Sequence, residues 1–359
     1  MTRQLKEGSE AIAEAAIAAG CRFFSGYPMT PFTEILENFG KNLPAAGGVS
    51  INAESEIEAI GMAWGALATG ARAATGSTGQ GLALMQESLS EITRSELPLV
   101  YFNMARGQGD YYQATRGGGH GDYRHIILAP IDVAEAAELT QLAFYLADYW
   151  RNPVMVYGDY LLAHTCETVE MKTIEFPELP QKDWAVDGSL GGTGKSRNIN
   201  PIGMSKIKHA IDPESFWRRL NLKHKEIEKT EVRFDQEFVE DAEMVVVAFG
   251  TVARFVRHVV REMRTEGIKV GYIRPITLWP FPYEIISAAA DHVKSVAVLE
   301  QNAGQMIDDV RLGVLGKTQV LSIGGISSDE SGFGIGPIHD VEEIRGRIEC
   351  GLRGEEREP

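Results

Sequence analysis

Residues 51–70 read INAESEIEAIGMAWGALATG, and this stretch decides how the first half of the chain is built. Its alanines and glycines suit a helix that another backbone can approach closely, yet three acids, Glu54, Glu56 and Glu58, fall within five positions near its start. Ser55 followed three residues later by Glu58 has the spacing of a capping box, and acids in a first turn complement the positive end of the helix dipole. That accounts for Glu54 and Glu58. Glu56 is different: in a helix starting near Ser55, Glu56, Ile60, Ala63 and Leu67 recur at i, i+4, i+7 and i+11, so Glu56 shares the apolar stripe that faces the core. A carboxyl group on that stripe needs a partner.

Outward from this helix, the pattern alternates helix and strand from residue 8 to about 165. GSEAIAEAAIAAG reads as a helix capped by Ser9 and stopped by Gly20. CRFFSGYP is a short strand, TPFTEILENFGK a helix with Pro31 in its first turn, and ARAATGSTGQG a strand ending in a glycine-rich turn. LPLVYFNMARG and YRHIILAP are further strands, IDVAEAAELTQLAFYLADYWR is a long helix, and NPVMVYGDYLL is the closing strand. Strands and helices of these lengths indicate βαβ units and a parallel sheet, whose ligands bind at the strand ends. Residues 166–238 are rich in proline, glycine and mixed charge, which predicts an irregular connection followed by a solvated helix. Within them GSLGGTGKS imitates a phosphate loop, but Gly188 falls one residue too early and no buried strand precedes it. From about 239 to 359 the strand-glycine-helix grammar resumes as a second α/β unit.

The bulk properties bound the function. A chain of 359 residues exceeds what one core usually serves, and 44% hydrophobic with 24% charged residues is an ordinary globular composition. Cys21, Cys166 and Cys350 lie far apart with no CxxC pair, so the chain carries no disulfide framework and no zinc or iron–sulfur motif of its own. A net charge of −15 argues against nucleic acid and anionic membrane as partners. No apolar run reaches a membrane span, and MTRQLKEGSEAIAEAA reads as an amphipathic helix without a signal-peptide core, so a cytoplasmic location is expected.

Three strand ends offer chemistry. In SGYPMTPFTE, Thr30 sits between two prolines that constrain its hydroxyl; it serves either a ligand or the cap of a helix beginning at Pro31. TGSTGQG sets Thr75, Ser77 and Thr78 among Gly76, Gly79 and Gly81, a turn that presents N–H groups to an anion or lets a flat ring approach. In NMARGQGD, Arg106 directly follows an apolar strand, where a guanidinium either grips a carboxylate through two parallel bonds or pairs with a neighbouring acid. His120, behind three glycines, lies in a loop where an imidazole either meets substrate or stays solvated.

Taken together, GYPMTPFTEI, AESEIEAIGMAWGALATGARAATGSTGQGLALMQESLSEITRSELPLV and QATRGGGHGDYRHIILAP resemble the α subunit of the 2-oxoacid:ferredoxin oxidoreductases, closest to the branched-chain (3-methyl-2-oxobutanoate) type. The likeness continues through NPVMVYGD, VVVAFGT, GIKVGYIRPITLWPFP and VLEQNAGQM. It implies two α/β domains: a thiamine-diphosphate pyrimidine-binding-like domain over 1–165 with a parallel sheet, and a transketolase C-terminal-like domain over 239–359. It further implies thiamine diphosphate shared with a β subunit that holds the diphosphate and Mg²⁺ through GDG; this chain has GDY but nowhere GDG. γ and δ subunits with Fe–S clusters, ferredoxin, coenzyme A and a dimer of heteromers complete the expectation. Residue by residue, Glu56 matches the glutamate that hydrogen-bonds the pyrimidine ring, Arg106 the arginine on the substrate carboxylate, and Thr30 the threonine whose hydroxyl contacts substrate. Tyr27, Pro28, Thr78 and Gly79 fall on the cofactor side, and no metal ligand is assigned. The segment after Arg106 is shorter than the family's, which leaves the pocket either open or closed by Tyr111 and Tyr112. Alternatives are an aryl 2-oxoacid or 2-oxoglutarate as substrate, and a scaffold subunit whose site has decayed.

Overall fold

Short apolar runs bounded by glycine or proline become strands here, and the longer periodic segments between them become helices. The structure is a computed structural model that describes residues 3–186, 212–325 and 340–357. β1 (Gln4–Glu7) leads into α1 (Gly8–Ala18), β2 (Phe23–Gly26), α2 (Thr33–Asn42), β3 (Val49–Asn52), α3 (Glu56–Ala68), β4 (Ala73–Ser77) and α4 (Gly79–Arg94). Next come β5 (Val100–Ala105), α5 (Tyr111–Arg116), β6 (Ile126–Leu128), α6 (Val133–Trp150), β7 (Val154–Asp159), α7 (Tyr160–His164) and β8 (Cys166–Val169). α8 (Pro213–Thr230) precedes β9 (Phe234–Glu237), β10 (Met244–Val247), α9 (Gly250–Thr265), β11 (Val270–Pro275), β12 (Thr277–Trp279) and α10 (Tyr283–Ala290). β13 (Ser295–Val298), α11 (Met306–Val314), β14 (Gln319–Ser322) and α12 (Val341–Leu352) follow.

The larger sheet has the order β12-β6-β7-β5-β4-β2-β3. β2 to β7 run parallel, as the alternation expects, and only β12 is antiparallel, against β6. β4 to β7 are buried at every position, the signature of a parallel sheet covered on both faces. The smaller sheet runs β14-β13-β10-β11-β9, parallel except for β9.

Each sheet has a point where successive connections turn opposite ways, and ligands of open α/β sheets bind at such points, beyond the carboxyl ends of the strands. In the first sheet the chain leaves β2 towards β3 but leaves β4 towards β5, so the crevice opens between β2 and β4. In the second it leaves β10 towards β11 and β13 towards β14, so the crevice opens between β10 and β13.

Several local expectations are corrected. The chain start is a strand before it is a helix, because β1 pairs antiparallel with β8. Ser9 does not cap α1: its hydroxyl donates to the Ala163 carbonyl at 2.8 Å, and Glu7 takes the cap position. α2 begins at Thr33 rather than Pro31, with Phe32 as cap, so Thr30 is not a helix cap. The helix expected to be solvated is α8, whose Phe216, Leu220, His224 and Ile227 are buried in one stripe while Arg219 and Lys223 both reach Glu96. β9 enters the smaller sheet ahead of position 239, and β12 crosses back to the edge of the larger one. The phosphate-loop imitation at 188–196 lies outside the described residues.

Polar groups lock the two sheets' units together. Arg274 of β11, 1% exposed, donates to both carboxylate oxygens of Glu135 on α6 at 2.6 and 2.8 Å and to Asp235 at 2.5 Å. Thr251 of α9 donates to Asp159 at the end of β7.

Candidate active site at the β2/β4 crevice

Glu56 reaches the crevice because β3 ends at Asn52 and α3 starts at the strand end. The Glu58 N–H donates to the Ser55 hydroxyl at 3.3 Å, the cap that the sequence expects. Glu56, Ile60, Ala63 and Leu67 are all buried, as the periodicity requires, and Glu56 is only 2% exposed. Its partner comes from β4: the Ser77 hydroxyl donates to Glu56 Oε1 at 3.0 Å. Gly81, in the first turn of α4, leaves the room for this pair. A Cβ at Gly81 would lie 1.9 Å from Ser77 Oγ and 2.2 Å from Glu56 Oε1.

Thr78 and Gly79 form the turn from β4 into α4. Gly79 has φ +38°, a left-handed conformation that favours glycine, and its N–H donates to Asp110 Oδ2 at 3.1 Å. Asn103 of β5 donates to the same oxygen at 3.1 Å. Burial raises the Asp110 carboxyl from its ordinary value, against the lowering effect of these bonds and of Arg106. Among the described residues, the hydroxyl of the fully buried Thr78 and the Oδ1 of Asn103 have no hydrogen-bond partner. Both atoms are free to pair with a water or a bound group.

Arg106 leaves the end of β5 half-buried. Its Nε donates to the Thr30 carbonyl at 3.2 Å and its Nη1 to Gln80 Oε1 at 3.3 Å, and among the described residues it forms no ion pair with a carboxylate. Thr30 is exposed beside it. Tyr27 and Pro28 occupy the same rim, half-buried and exposed, and their side chains make no hydrogen bond or ring contact among the described residues.

The structure thus gathers Glu56, Thr78, Gly79, Arg106 and Thr30 at one crevice, and it sends other candidates elsewhere. Tyr111 is buried and donates to Asp309 at 2.6 Å, and Tyr112 donates to Asp308, so both hydroxyls bind α11. His120 is exposed; its N–H donates to Glu87 and its carbonyl accepts from Ser90, eleven positions along α4 from Gly79 and so about 16 Å away at 1.5 Å per residue. Asp110, Asn103 and Gln80 were missed. The one available signal was Asn103, a polar residue inside the otherwise apolar strand VYFNMA.

The residues also fit a flat heteroaromatic group: a buried carboxyl for a ring nitrogen, glycines that clear its approach, and an orphaned hydroxyl at the turn. Among the described residues no cluster of His, Cys, Asp or Glu is arranged to hold a metal ion, and no helix is long and apolar enough to cross a membrane.

Fold and site define a thiamine-type α/β domain followed by a second parallel-sheet domain. Residues 14–187 match the family described as pyruvate flavodoxin/ferredoxin oxidoreductase, thiamine diP-binding, and residues 242–330 match pyruvate:ferredoxin oxidoreductase core domain II. The chain is similar to ketoisovalerate oxidoreductase subunit VorB of Methanothermobacter thermautotrophicus, 38% identical over 87% of this chain and 90% of the relative. It is also similar to 2-oxoglutarate synthase subunit KorA of the same organism, 35% identical over 95% of this chain and 97% of the relative. Among solved structures, a 2-oxoglutarate:ferredoxin oxidoreductase from Magnetococcus marinus superposes with a TM-score of 0.78 at 25% identity. That alignment covers 98% of this chain, which spans 65% of that longer chain. A split-gene transketolase superposes with a TM-score of 0.56 at 14% identity, a likeness of fold. The chain belongs to the 2-oxoacid:ferredoxin oxidoreductase family, as one of its subunits.

Proposed function

We propose that this chain is the α subunit of a thiamine-diphosphate-dependent oxidoreductase that converts a branched-chain 2-oxoacid and coenzyme A to acyl-CoA and CO₂. Two electrons leave one at a time through Fe–S clusters on partner subunits to ferredoxin, and the thiol proton of coenzyme A is released. The observation that carries this reading is that a buried carboxyl, Glu56, and an arginine, Arg106, that forms no ion pair among the described residues lie at the same crevice. When bound, thiamine diphosphate supplies a nucleophilic carbon and an electron sink. Glu56 would hold a pyrimidine ring nitrogen through its carboxyl, with Ser77 keeping that carboxyl in place. Thr78, Gly79, Tyr27 and Pro28 would line the ring, Arg106 would bind the substrate carboxylate, and the Thr30 hydroxyl would orient the substrate.

A β subunit supplies the diphosphate and Mg²⁺ site in this reading, and α3 offers it a surface. Ile57 and Met62 on α3 and Leu84 on α4 are exposed, and a Cβ at Gly61 or Gly65 would meet nothing within 4 Å. An apolar face with small residues, next to a carboxyl that must be kept from water, suits a partner that closes the site.

The identity of the relatives named 2-oxoglutarate synthase favours a second reading, a dicarboxylate substrate. Arg106 is the only basic residue in the segments that follow β2, β3, β4 and β5 into the crevice, at 27–32, 53–58, 78–80 and 106–110. One cation suits one carboxylate, so this chain's share of the pocket favours a monocarboxylic 2-oxoacid. The test is an assay of the complete complex with coenzyme A and ferredoxin against aliphatic, dicarboxylic and aryl 2-oxoacids. The highest kcat/KM is expected for 3-methyl-2-oxobutanoate, with no turnover by this chain alone. A preference for 2-oxoglutarate or an aryl acid overturns the substrate assignment, and a dead complex with every acid leaves only the scaffold.

A further inference from the structure

The ligand crevice of the second sheet is not open: Gln108, two residues beyond Arg106, fills it. Its Nε2 donates to the Phe249 carbonyl, at the end of β10, at 2.9 Å, and its Oε1 accepts from the Gln301 N–H, after β13, at 2.9 Å. Its backbone N–H donates to the Gln301 carbonyl at 3.3 Å, and its backbone carbonyl accepts from Asn302 Nδ2 at 2.9 Å. Both backbone groups and both side-chain atoms are therefore paired, and the residue is 1% exposed. The neighbouring Gly109 carbonyl accepts from Gln305 Nε2 at 2.9 Å, and Asp110 is held by the Gly79 N–H at 3.1 Å.

We propose that Gln108 is a positioning residue through which the second domain sets the place of Arg106. The inference rests on the reading of Arg106 as the substrate-carboxylate ligand. The guanidinium itself has two bonds of 3.2 and 3.3 Å at a half-buried rim, so its place depends on the backbone that carries it. That backbone runs Arg106-Gly107-Gln108-Gly109, and two glycines give it little stiffness of its own. Without the Gln108 amide, holding this loop in one conformation costs backbone entropy that the amide's bonds no longer offset. The Phe249 carbonyl and Gln301 N–H also lose the amide that pairs with them. A displacement of about 1 Å at a binding group is enough to cost up to a hundredfold. Gln108 touches no substrate in this scheme; it acts through Arg106.

The test uses the complete complex carrying Gln108→Ala, Asn302→Ala or Arg106→Ala, with affinity for oxamate, an unreactive mimic of a 2-oxoacid, measured by calorimetry beside steady-state kinetics. Gln108→Ala is expected to weaken oxamate and raise KM about tenfold while kcat stays within about twofold, the split that marks lost carboxylate binding. Asn302→Ala, which removes one bond to the Gln108 backbone from the far domain, is expected to do the same by about threefold, and it decides the matter if Gln108→Ala does not assemble. Unchanged oxamate affinity in both variants, with Arg106→Ala weakened, overturns the role of Gln108 and leaves that of Arg106. If Arg106→Ala also binds oxamate normally, the reading of Arg106 fails and the proposal with it. A fall in kcat and thermal midpoint at unchanged affinity marks a merely structural role and overturns the proposal as well.

Discussion

Ser77 Oγ donates to Glu56 Oε1 at 3.0 Å, joining β4 to the first turn of α3 inside the crevice. One bond from one side fixes the carboxyl while leaving its other oxygen for a ligand. Glu56→Gln in the assembled complex is expected to cut turnover about a hundredfold, the scale of a lost proton-transfer group. Ser77→Ala, which only loosens the carboxyl, should cost less than about tenfold. Steady-state rates with saturating cofactor distinguish the two, and near-normal turnover in Glu56→Gln would refute the role assigned here.

Gly81 tests the same pair by crowding. Its added methyl would meet Ser77 Oγ and Glu56 Oε1 at distances no real contact allows, so the side chains must move. Gly81→Ala is expected to lower turnover by about tenfold or more and stability by about 1–3 kcal/mol, the usual range for overpacking. Activity at the normal level would show that the Glu56 carboxyl need not stay where it is.

Arg106→Ala removes the cation from the rim. Hydrogen bonds to charged groups are worth about 1.5–3 kcal/mol, so KM for the 2-oxoacid should rise roughly ten- to a hundredfold. Arg106→Lys should recover only part of this, because an ammonium lacks the planar fork. Unchanged saturation curves in both variants favour the scaffold alternative.

The Arg274–Glu135 pair predicts a stability effect remote from the crevice. Glu135→Ala leaves Arg274, 1% exposed, with only Asp235 beside it, and breaking one side of a buried pair costs about 3–5 kcal/mol. Denaturant unfolding is expected to show a loss near the lower end of that range. A change under about 1 kcal/mol would mean that Asp235 alone suffices.

His125 supplies a pH signature. Its ring lies between the Tyr101 hydroxyl at 2.7 Å and the Thr93 hydroxyl at 2.8 Å, and burial, with nearby His224, lowers it to about 3. The folded chain therefore keeps the ring neutral while the unfolded chain protonates it near 6.5. Stability from this site is full above about pH 6.5 and falls by about 1.4 kcal/mol per pH unit on acidification towards 3. Thermal midpoints measured from pH 7 to 5 should fall, and should fall less steeply in His125→Gln. Equal slopes in the two proteins would show that the folded chain protonates the ring as readily as the unfolded one.

What the sequence disclosed depended on distance along the chain. The buried face of Glu56 was legible because a cap and a 3.6-residue repeat are local properties of residues 55–67. The strand ends carrying Thr30, Thr78 and Arg106 were legible for the same reason, since each follows a short apolar run. Asp110 and Gln108 were not, because their meaning lies in Gly79 and in Phe249, which only the packed sheets bring near. In α8 the charges of RRLNLKHKEIEK hid the sparse stripe Phe216, Leu220, His224 and Ile227, and the start of the chain was read as helix because the partner of β1 lies some 160 residues away.

β12 makes the two halves inseparable in a practical sense. Residues 277–279 hydrogen-bond along the outer side of β6, so a fragment ending after the first domain would carry a bare row of backbone donors and acceptors, a template for pairing between molecules. Expression of residues 1–165 alone should therefore yield aggregates. Any recombination of these modules must bring the three-residue strand along or cover the edge by other means.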